Sequence, residues 1–245
     1  MTGVVVVTGA GRGIGAATAR AVARTGRPVC VNYRTDATAA AAVVATIRAG
    51  GGTAEAVAAD VGVAEDVERL FAAADRMGPL AGLVNNAGIA GPRCRLDALA
   101  PDDLRAVLAT NVVGAFLCAR AAVRRLSTRH GGRGGAIVNL SSQTARFGGV
   151  LLTPYAASKA AVEAMTVGLA REVAGEGIRV NAVSPGVIDT DQQAALPPER
   201  RAEVAASLPM GRMGTPEEVA EAIVWLLGAG ASYVNGAVLP VHGAR

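Results

Sequence analysis

Tyr155 and Lys159 stand four residues apart in the run PYAASKAAV, residues 154–162. On a helix this spacing puts both side chains on one face. A phenol beside an ammonium can trade a proton with a bound molecule, the phenol serving as acid or base. A free tyrosine titrates near pH ~10. A positive charge about 5 Å away, at an effective dielectric of about 20, favours the phenolate by roughly 3 kcal/mol, or roughly two pKa units. Lys159 is the only lysine in the chain; the other 23 cationic side chains are arginine. An ammonium offers separate protons to a phenol and to a neighbouring diol and can release one, whereas a guanidinium is a broad plane that stays charged. The position therefore reads as proton chemistry rather than as a solvated surface charge.

A hydroxyl and a phosphate cradle accompany this pair. The run NLSS, residues 139–142, closes a strand pattern and places Ser142 thirteen residues before Tyr155. The run TGAGRGIG, residues 8–15, links a strand pattern to a helix pattern. Such glycines let the backbone approach a pyrophosphate, whose charge is met by the helix N-terminus. Two spacings fit: Gly11, Gly13 and Ala16 in the general dinucleotide form, or Gly9, Gly13 and Gly15 in a TGxxxGxG form. The second strand pattern ends in Asn32, Tyr33 and Arg34, with no acid for a ribose 2′-hydroxyl. Arg34, with Arg12 from the glycine loop, suits a 2′-phosphate. NADP(H) is the expected cofactor, with NAD(H) the alternative, and Asp36 reads as a helix cap.

The elements that must position these groups alternate along the chain. Strand patterns fall at 4–8, 28–32, 54–58, 82–86, 136–140, 178–183 and 237–241, and helical patterns at 14–25, 36–49, 64–76, 102–129, 154–174 and 215–228. Thr215-Pro216-Glu217-Glu218 has the form of a capped helix start. Repeated β-α-β units with continuously apolar strands imply an α/β fold of Rossmann type, doubly wound, with a seven-stranded parallel sheet and helices on both faces. No composition break divides it, so residues 1–245 read as one domain. The least regular stretch, 187–213, follows a strand's C-terminal end and is the expected substrate lid. Gln143, Thr144, Phe147, Leu151 and Leu152 are expected around the substrate, with Gly91 to Arg95 and the polar Asp191, Gln192 and Arg212 of the lid.

Composition narrows the class further. Apolar residues make up 51% of the chain and aromatics 3%, so the core must be built of small aliphatic side chains. A formal charge of +4 without a basic stripe or aromatic RNA-binding spacing argues against nucleic acid. Cys30, Cys94 and Cys118 form no CxxC pair, and His130 and His242 stand apart, so no metal site is expected. Neither a signal peptide nor an uncharged membrane-spanning segment is legible, which suggests a cytoplasmic protein without membrane attachment.

The chain resembles the short-chain dehydrogenase/reductase family along nearly its whole length, in the single-domain branch that includes 3-oxoacyl-acyl carrier protein reductases and glucose 1-dehydrogenases. The resemblance rests on TGAGRGIG, the Asp60-Val61 pair, NNAG at 85–88, Asn111, Ser142, YAASK at 155–159 and PGVIDT at 185–190. It implies that Tyr155 is the acid/base, that Ser142 orients the substrate oxygen, that Lys159 holds the nicotinamide ribose and lowers the tyrosine pKa, and that Asn111 keeps a water-linked proton path to that lysine. It further implies cofactor contacts from Gly9, Arg12, Gly13, Ile14, Gly15, Tyr33, Arg34, Asp60, Val61, Asn86, Ala87, Gly88, Pro185, Gly186, Ile188 and Thr190. Substrate contacts would come from Ser142, Gln143, Phe147, Leu151 and Tyr155. The implied reaction interconverts a ketone and a secondary alcohol, as in carbonyl or 3-oxoacyl reduction. A sugar or polyol dehydrogenase running oxidatively, and a regulator that binds NADP without turnover, are the alternatives. The implied partners are a small carbonyl or alcohol substrate, with acyl thioesters among the candidates, and further copies of the chain in a homodimer or homotetramer. The basic run Arg124 to Gly135 lies where relatives dock acyl carrier protein, but it reads more simply as a solvated helix end. His242-Gly243-Ala244 departs from the acid and Gly-Gly of many relatives, which bears on the tetramer contact.

Overall fold

Alternate residues of the first strand face two different cores. Val5 and Val7 of β1 (Val4–Val7) belong to one buried cluster, and Val4 and Val6 to another. A strand covered on both sides must be apolar at every position, as this one is. The computed structural model describes residues 3–190 and 197–244. The remaining strands are β2 (Val29–Tyr33), β3 (Ala54–Ala58), β4 (Leu80–Asn85), β5 (Gly135–Leu140), β6 (Ile178–Pro185) and β7 (Val238–Val241). All pair in parallel, in the order β3-β2-β1-β4-β5-β6-β7. The order reverses between β1 and β4, so a crevice opens beyond their C-terminal ends.

One core packs α1 (Gly13–Arg24), α2 (Ala37–Ala49) and the last helix (Pro216–Leu227) on the sheet, through Val22, Ile47, Ile223 and Leu226. The other holds α3 (Ala64–Met77), α5 (Gly114–Leu126) and α7 (Thr153–Val173), through Leu70, Phe71, Leu126 and Val173. Small residues on α1 and α5 let these helices approach the sheet closely, which is why so few aromatics suffice. The thiols of Cys30 and Cys118 lie in the second core, and burial pushes each up to about 12.

The expected continuous helix at 102–129 is broken. It comprises α4 (Pro101–Leu108), a π-helical turn over Ala109–Val113, α5, and a 3-10 turn at Thr128–His130. The π turn carries Asn111, and such single turns insert a residue and redirect a side chain. By length and composition Pro101–Leu126 is apolar enough to cross a membrane. Here Cys118, Ala122 and Leu126 from its second half pack into the core beneath the sheet. Two short helices arise where only loop was expected, α6 (Thr144–Phe147) and α8 (Pro198–Ala206), the latter within the 187–213 segment.

Candidate active site

The glycine loop is held from beneath by side chains at three strand ends. Asn32 of β2 is buried, and its Oδ1 accepts the Gly9 N–H at 3.1 Å while its Nδ2 donates to the carbonyls of Tyr33, Val57 and Ala59. The Thr8 hydroxyl accepts the N–H groups of Asn86 and Ala87 at 3.0 Å, and Asn86 Nδ2 donates to the carbonyls of Thr8 and Gly9. Gly9 has φ 60° and no room for a side chain, since a Cβ would lie 2.9 Å from Ala87 Cα. A Cβ on Gly15 would strike the Gly9 carbonyl and come within 2.5 Å of Asn86 Nδ2. Gly11 has only ordinary neighbours, so the crowded pair in this loop is Gly9 and Gly15.

This loop leads into α1, whose N-cap, Arg12, makes no side-chain capping bond and whose first turn contains no acid. Its N-terminal N–H groups therefore suit an anion. Ile14 packs against the first core. Thr190 faces the loop, its Cγ2 lying 3.5 Å from where a Gly13 Cβ would be. Thr190 follows the end of β6, where the Gly186 N–H donates to Val241 and buried Ile188 bridges to Gly214. Along the other side, Asp60 Oδ1 accepts the Gly62 N–H and Val61 is buried. Arg34 is exposed at the end of β2, with Nη1 3.9 Å from Asp60 Oδ2. Tyr33 is half-buried, and Asp36 caps α2 through the Ala39 N–H.

Beyond this cradle, Tyr155, Lys159, Asn111 and Gly88 converge. Lys159 is buried; its Nζ donates to the Leu140 carbonyl at 2.7 Å and lies 5.6 Å from the Tyr155 ring centroid. A Cβ on Gly88 would fall 3.3 Å from Asn111 Oδ1 and 3.4 Å from Lys159 Nζ. The Asn111 carboxamide is engaged on three sides, accepting the Ile89 N–H and donating to the Ile89 carbonyl and to Ser158 Oγ. Ser142 begins the loop into α6; its Oγ accepts the Thr144 hydroxyl at 3.1 Å, and its hydrogen bonding to the Tyr155 phenol favours phenolate. Ser141 faces away, donating to Glu163 at 2.6 Å.

Burial governs the titration of this pair. It holds the Tyr155 phenol above its ordinary value, with Ser142 pulling the other way. It lowers the Lys159 ammonium to about 8. Burial thus raises the phenol where the neighbouring lysine was expected to lower it.

An array of buried polar groups beneath the site escaped sequence reasoning. Asn85 Nδ2 donates to Asn139 Oδ1 at 2.9 Å, and Asn139 Nδ2 donates to Thr166 Oγ1 at 2.9 Å. These bonds tie β4, β5 and α7 together where Tyr155 and Lys159 are carried. The signal was an Asn at or next to the end of each of two strands, but their partners lie 54 and 27 residues away in sequence.

Gln143 pins the next loop to β6 through its N–H and the Pro185 carbonyl, while its own Oε1 is buried without a partner. Phe147 and Leu151 are exposed rather than packed. Of the polar lid residues, Arg212 pairs with Glu218 at 2.6 Å, whereas Asp191 and Gln192 lie outside the described residues. The basic run is largely neutralised, with Arg124, Arg125 and Arg129 facing Glu68, Asp75 and Glu176.

A doubly wound parallel sheet with an anion-ready helix terminus at its switch point defines a Rossmann-type dinucleotide fold. A family model described as enoyl-(acyl carrier protein) reductase matches residues 9–243, and the chain belongs to the short-chain dehydrogenase/reductase family of oxidoreductases, which use nicotinamide cofactors. The chain is 46% identical over 245 residues, 99% of each chain, to the uncharacterized oxidoreductase YgfF of Escherichia coli. It is 41% identical to a 3-oxoacyl-[acyl-carrier-protein] reductase of Synechocystis sp., over 98% of this chain and 95% of that one. It is 43% identical to a cis-4-hydroxycyclohexanecarboxylate dehydrogenase of Sinomonas cyclohexanicum, again over 98% and 95%.

Proposed function

We propose that the protein interconverts a ketone and a secondary alcohol with NADP(H), with Tyr155 as acid/base. The observation that carries this reading is the buried Lys159 ammonium, 5.6 Å from the Tyr155 ring and against Gly88. The crowded Gly9–Gly15 turn and the uncapped α1 terminus fit a dinucleotide pyrophosphate. Bound there, the nicotinamide supplies or accepts the hydride.

In the reductive direction Ser142 holds the carbonyl oxygen and the Tyr155 phenol gives it a proton, so ketone, hydride and proton balance the alcohol formed. Burial keeps that phenol protonated at neutral pH, as a donor must be. Lys159 uses one proton on Leu140 and has others for a ribose diol and a water path. With its carboxamide engaged by Ile89 and Ser158, Asn111 stands with Lys159 beside Gly88, at the start of that path. The ammonium is present below about 8 and lost above it, so reduction should slow as pH rises through that value. Arg34 and Arg12 would meet a 2′-phosphate, Arg34 exchanging its long contact with Asp60 for it. The 187–213 segment would act as the lid, its stem latched by Arg201 on Asp189 at 2.8 Å. Exposed Val113 and Phe116 support assembly with further copies of the chain.

The similarity to a 3-oxoacyl reductase and to a hydroxycyclohexanecarboxylate dehydrogenase supports carbonyl chemistry. The test is a panel of ketones and alcohols with NADPH and NADH, followed at the nicotinamide absorbance. Turnover should fall by about 10²–10⁴ in Tyr155→Phe, and Arg34→Asp should shift preference toward NADH. Tight NADPH binding without turnover of any compound would leave a nucleotide-binding regulator instead.

A further inference from the structure

The stretch joining Ser142 to Tyr155 connects two of the reacting groups directly in sequence. From Phe147 to Leu152 its side chains carry no polar atom. Phe147 is 66% exposed and Val150 86%. Apolar side chains concentrated at the mouth of a site mark a binding surface rather than a packing accident. The stretch is also fixed in place. Gly148 N–H bonds the Thr144 carbonyl, Leu152 N–H bonds Gly149, and the Ala156 N–H bonds Leu152, which joins the loop to the first turn of α7. Leu151 is held at φ 64°, a left-handed conformation that costs a non-glycine residue of order 1–3 kcal/mol.

The Leu151 carbonyl accepts the Cys94 N–H at 3.1 Å, so the loop at 91–95 forms the other half of the same rim. This loop brings Arg93 and Arg95. Arg95 is neutralised by Asp97 at 3.1 Å. Among the described residues, neither Arg93 nor Arg146 has a carboxylate within ion-pair distance. The Arg146 guanidinium instead lies over the Phe147 ring, 5.5 Å from its centroid. A cation spread on an apolar surface is poorly hydrated and well placed to receive an anion.

We propose that the substrate is a ketone with an apolar body ending in an anionic group, seated on Phe147, Val150 and Leu151 with its anion between Arg93 and Arg146. This rests on the oxidoreductase reading above. A sugar would need several hydrogen-bonding side chains around its hydroxyls, and this rim offers it none between Phe147 and Leu152. The anion is a carboxylate, which a guanidinium fork suits.

The test compares kcat/KM for 7-oxooctanoate, its neutral methyl ester and acetoacetyl-coenzyme A, in the unaltered protein and in an Arg93→Gln/Arg146→Gln double variant. At least tenfold preference for 7-oxooctanoate over its ester is expected, collapsing in the double variant. Preference for acetoacetyl-coenzyme A over 7-oxooctanoate overturns the carboxylate assignment. Equal use of acid, ester and thioester by both proteins, or faster oxidation of glucose than reduction of any of the three, overturns the proposal. Calorimetric binding of the same three compounds to NADP-saturated protein makes the comparison without chemistry. Anion-selective binding lost in the double variant, with no turnover, supports the rim and counts against the oxidoreductase reading alone.

Discussion

At the β1–β4 end of the cleft the polar groups beneath the glycine loop are taken: the amides of Asn32 and Asn86 and the Thr8 hydroxyl hold it from three strands. At the Ser142–Tyr155 rim, Phe147, Val150 and Leu151 stand in solvent, and Gln143 keeps a buried acceptor without a partner. One end is fixed by bonds within the protein, and the other leaves its surface and hydrogen bonding for something else to complete. The dinucleotide end therefore tolerates little change. The rim is where related chains can differ in substrate while sharing a reaction.

The most forceful way to break this comparison is Gly15→Ala. The new methyl has no space between the Gly9 carbonyl and Asn86, and overpacking of this kind costs about 1–3 kcal/mol. NADPH affinity should fall about ten- to hundredfold in a fluorescence titration, whereas Phe147→Ala should leave it unchanged. If the two variants bind NADPH alike, the contrast between the ends is wrong.

Asn139→Ala asks whether the buried array is part of the fixed end. It leaves the Asn85 amide short of a partner within the core, and an unsatisfied buried donor costs about 1–3 kcal/mol. Urea denaturation should show that loss, and an unchanged midpoint would make the array incidental.

Thr215→Ala sets the scale for a feature remote from both ends. It removes one half of a complete capping box with Glu218, worth about 1 kcal/mol. Arg212, and then the Thr215 N–H, hold the Glu218 carboxyl at about 2. Its contribution is present above the usual carboxylate range and is lost as pH falls toward about 2. Arg212 and the residue-215 N–H both remain in the variant, so parent and variant should lose stability in parallel on acidification, read from denaturation midpoints across pH.

These contrasts also mark what the sequence made legible. Seven short runs predicted seven strands nearly to the residue, most plainly β1, β4 and β5, where burial on both faces leaves few polar residues to confuse the pattern. Thr215-Pro-Glu-Glu announced its helix because a capping box is local chemistry. The π turn at Asn111 was invisible, since one inserted residue barely disturbs a hydrophobic period. The helix at Pro198–Ala206 lay inside an irregular stretch too short to display a face. Asn32, Asn85 and Asn139 looked like strand endings, and only pairing across the sheet reveals what they hold. The YxxxK spacing placed the lysine beside the tyrosine ring, but could not show the cost of burying both.

The claim most exposed to test is that the site needs a compact buried ammonium rather than positive charge alone. Turnover of a carbonyl compound by Lys159→Arg, compared with the parent at matched NADPH saturation, addresses it directly. A guanidinium cannot fit beside Gly88 and Asn111 while keeping the Leu140 bond, so turnover should fall at least a hundredfold, about 3 kcal/mol in the barrier, with the fold intact. An arginine variant that turns over at the parental rate would contradict the account.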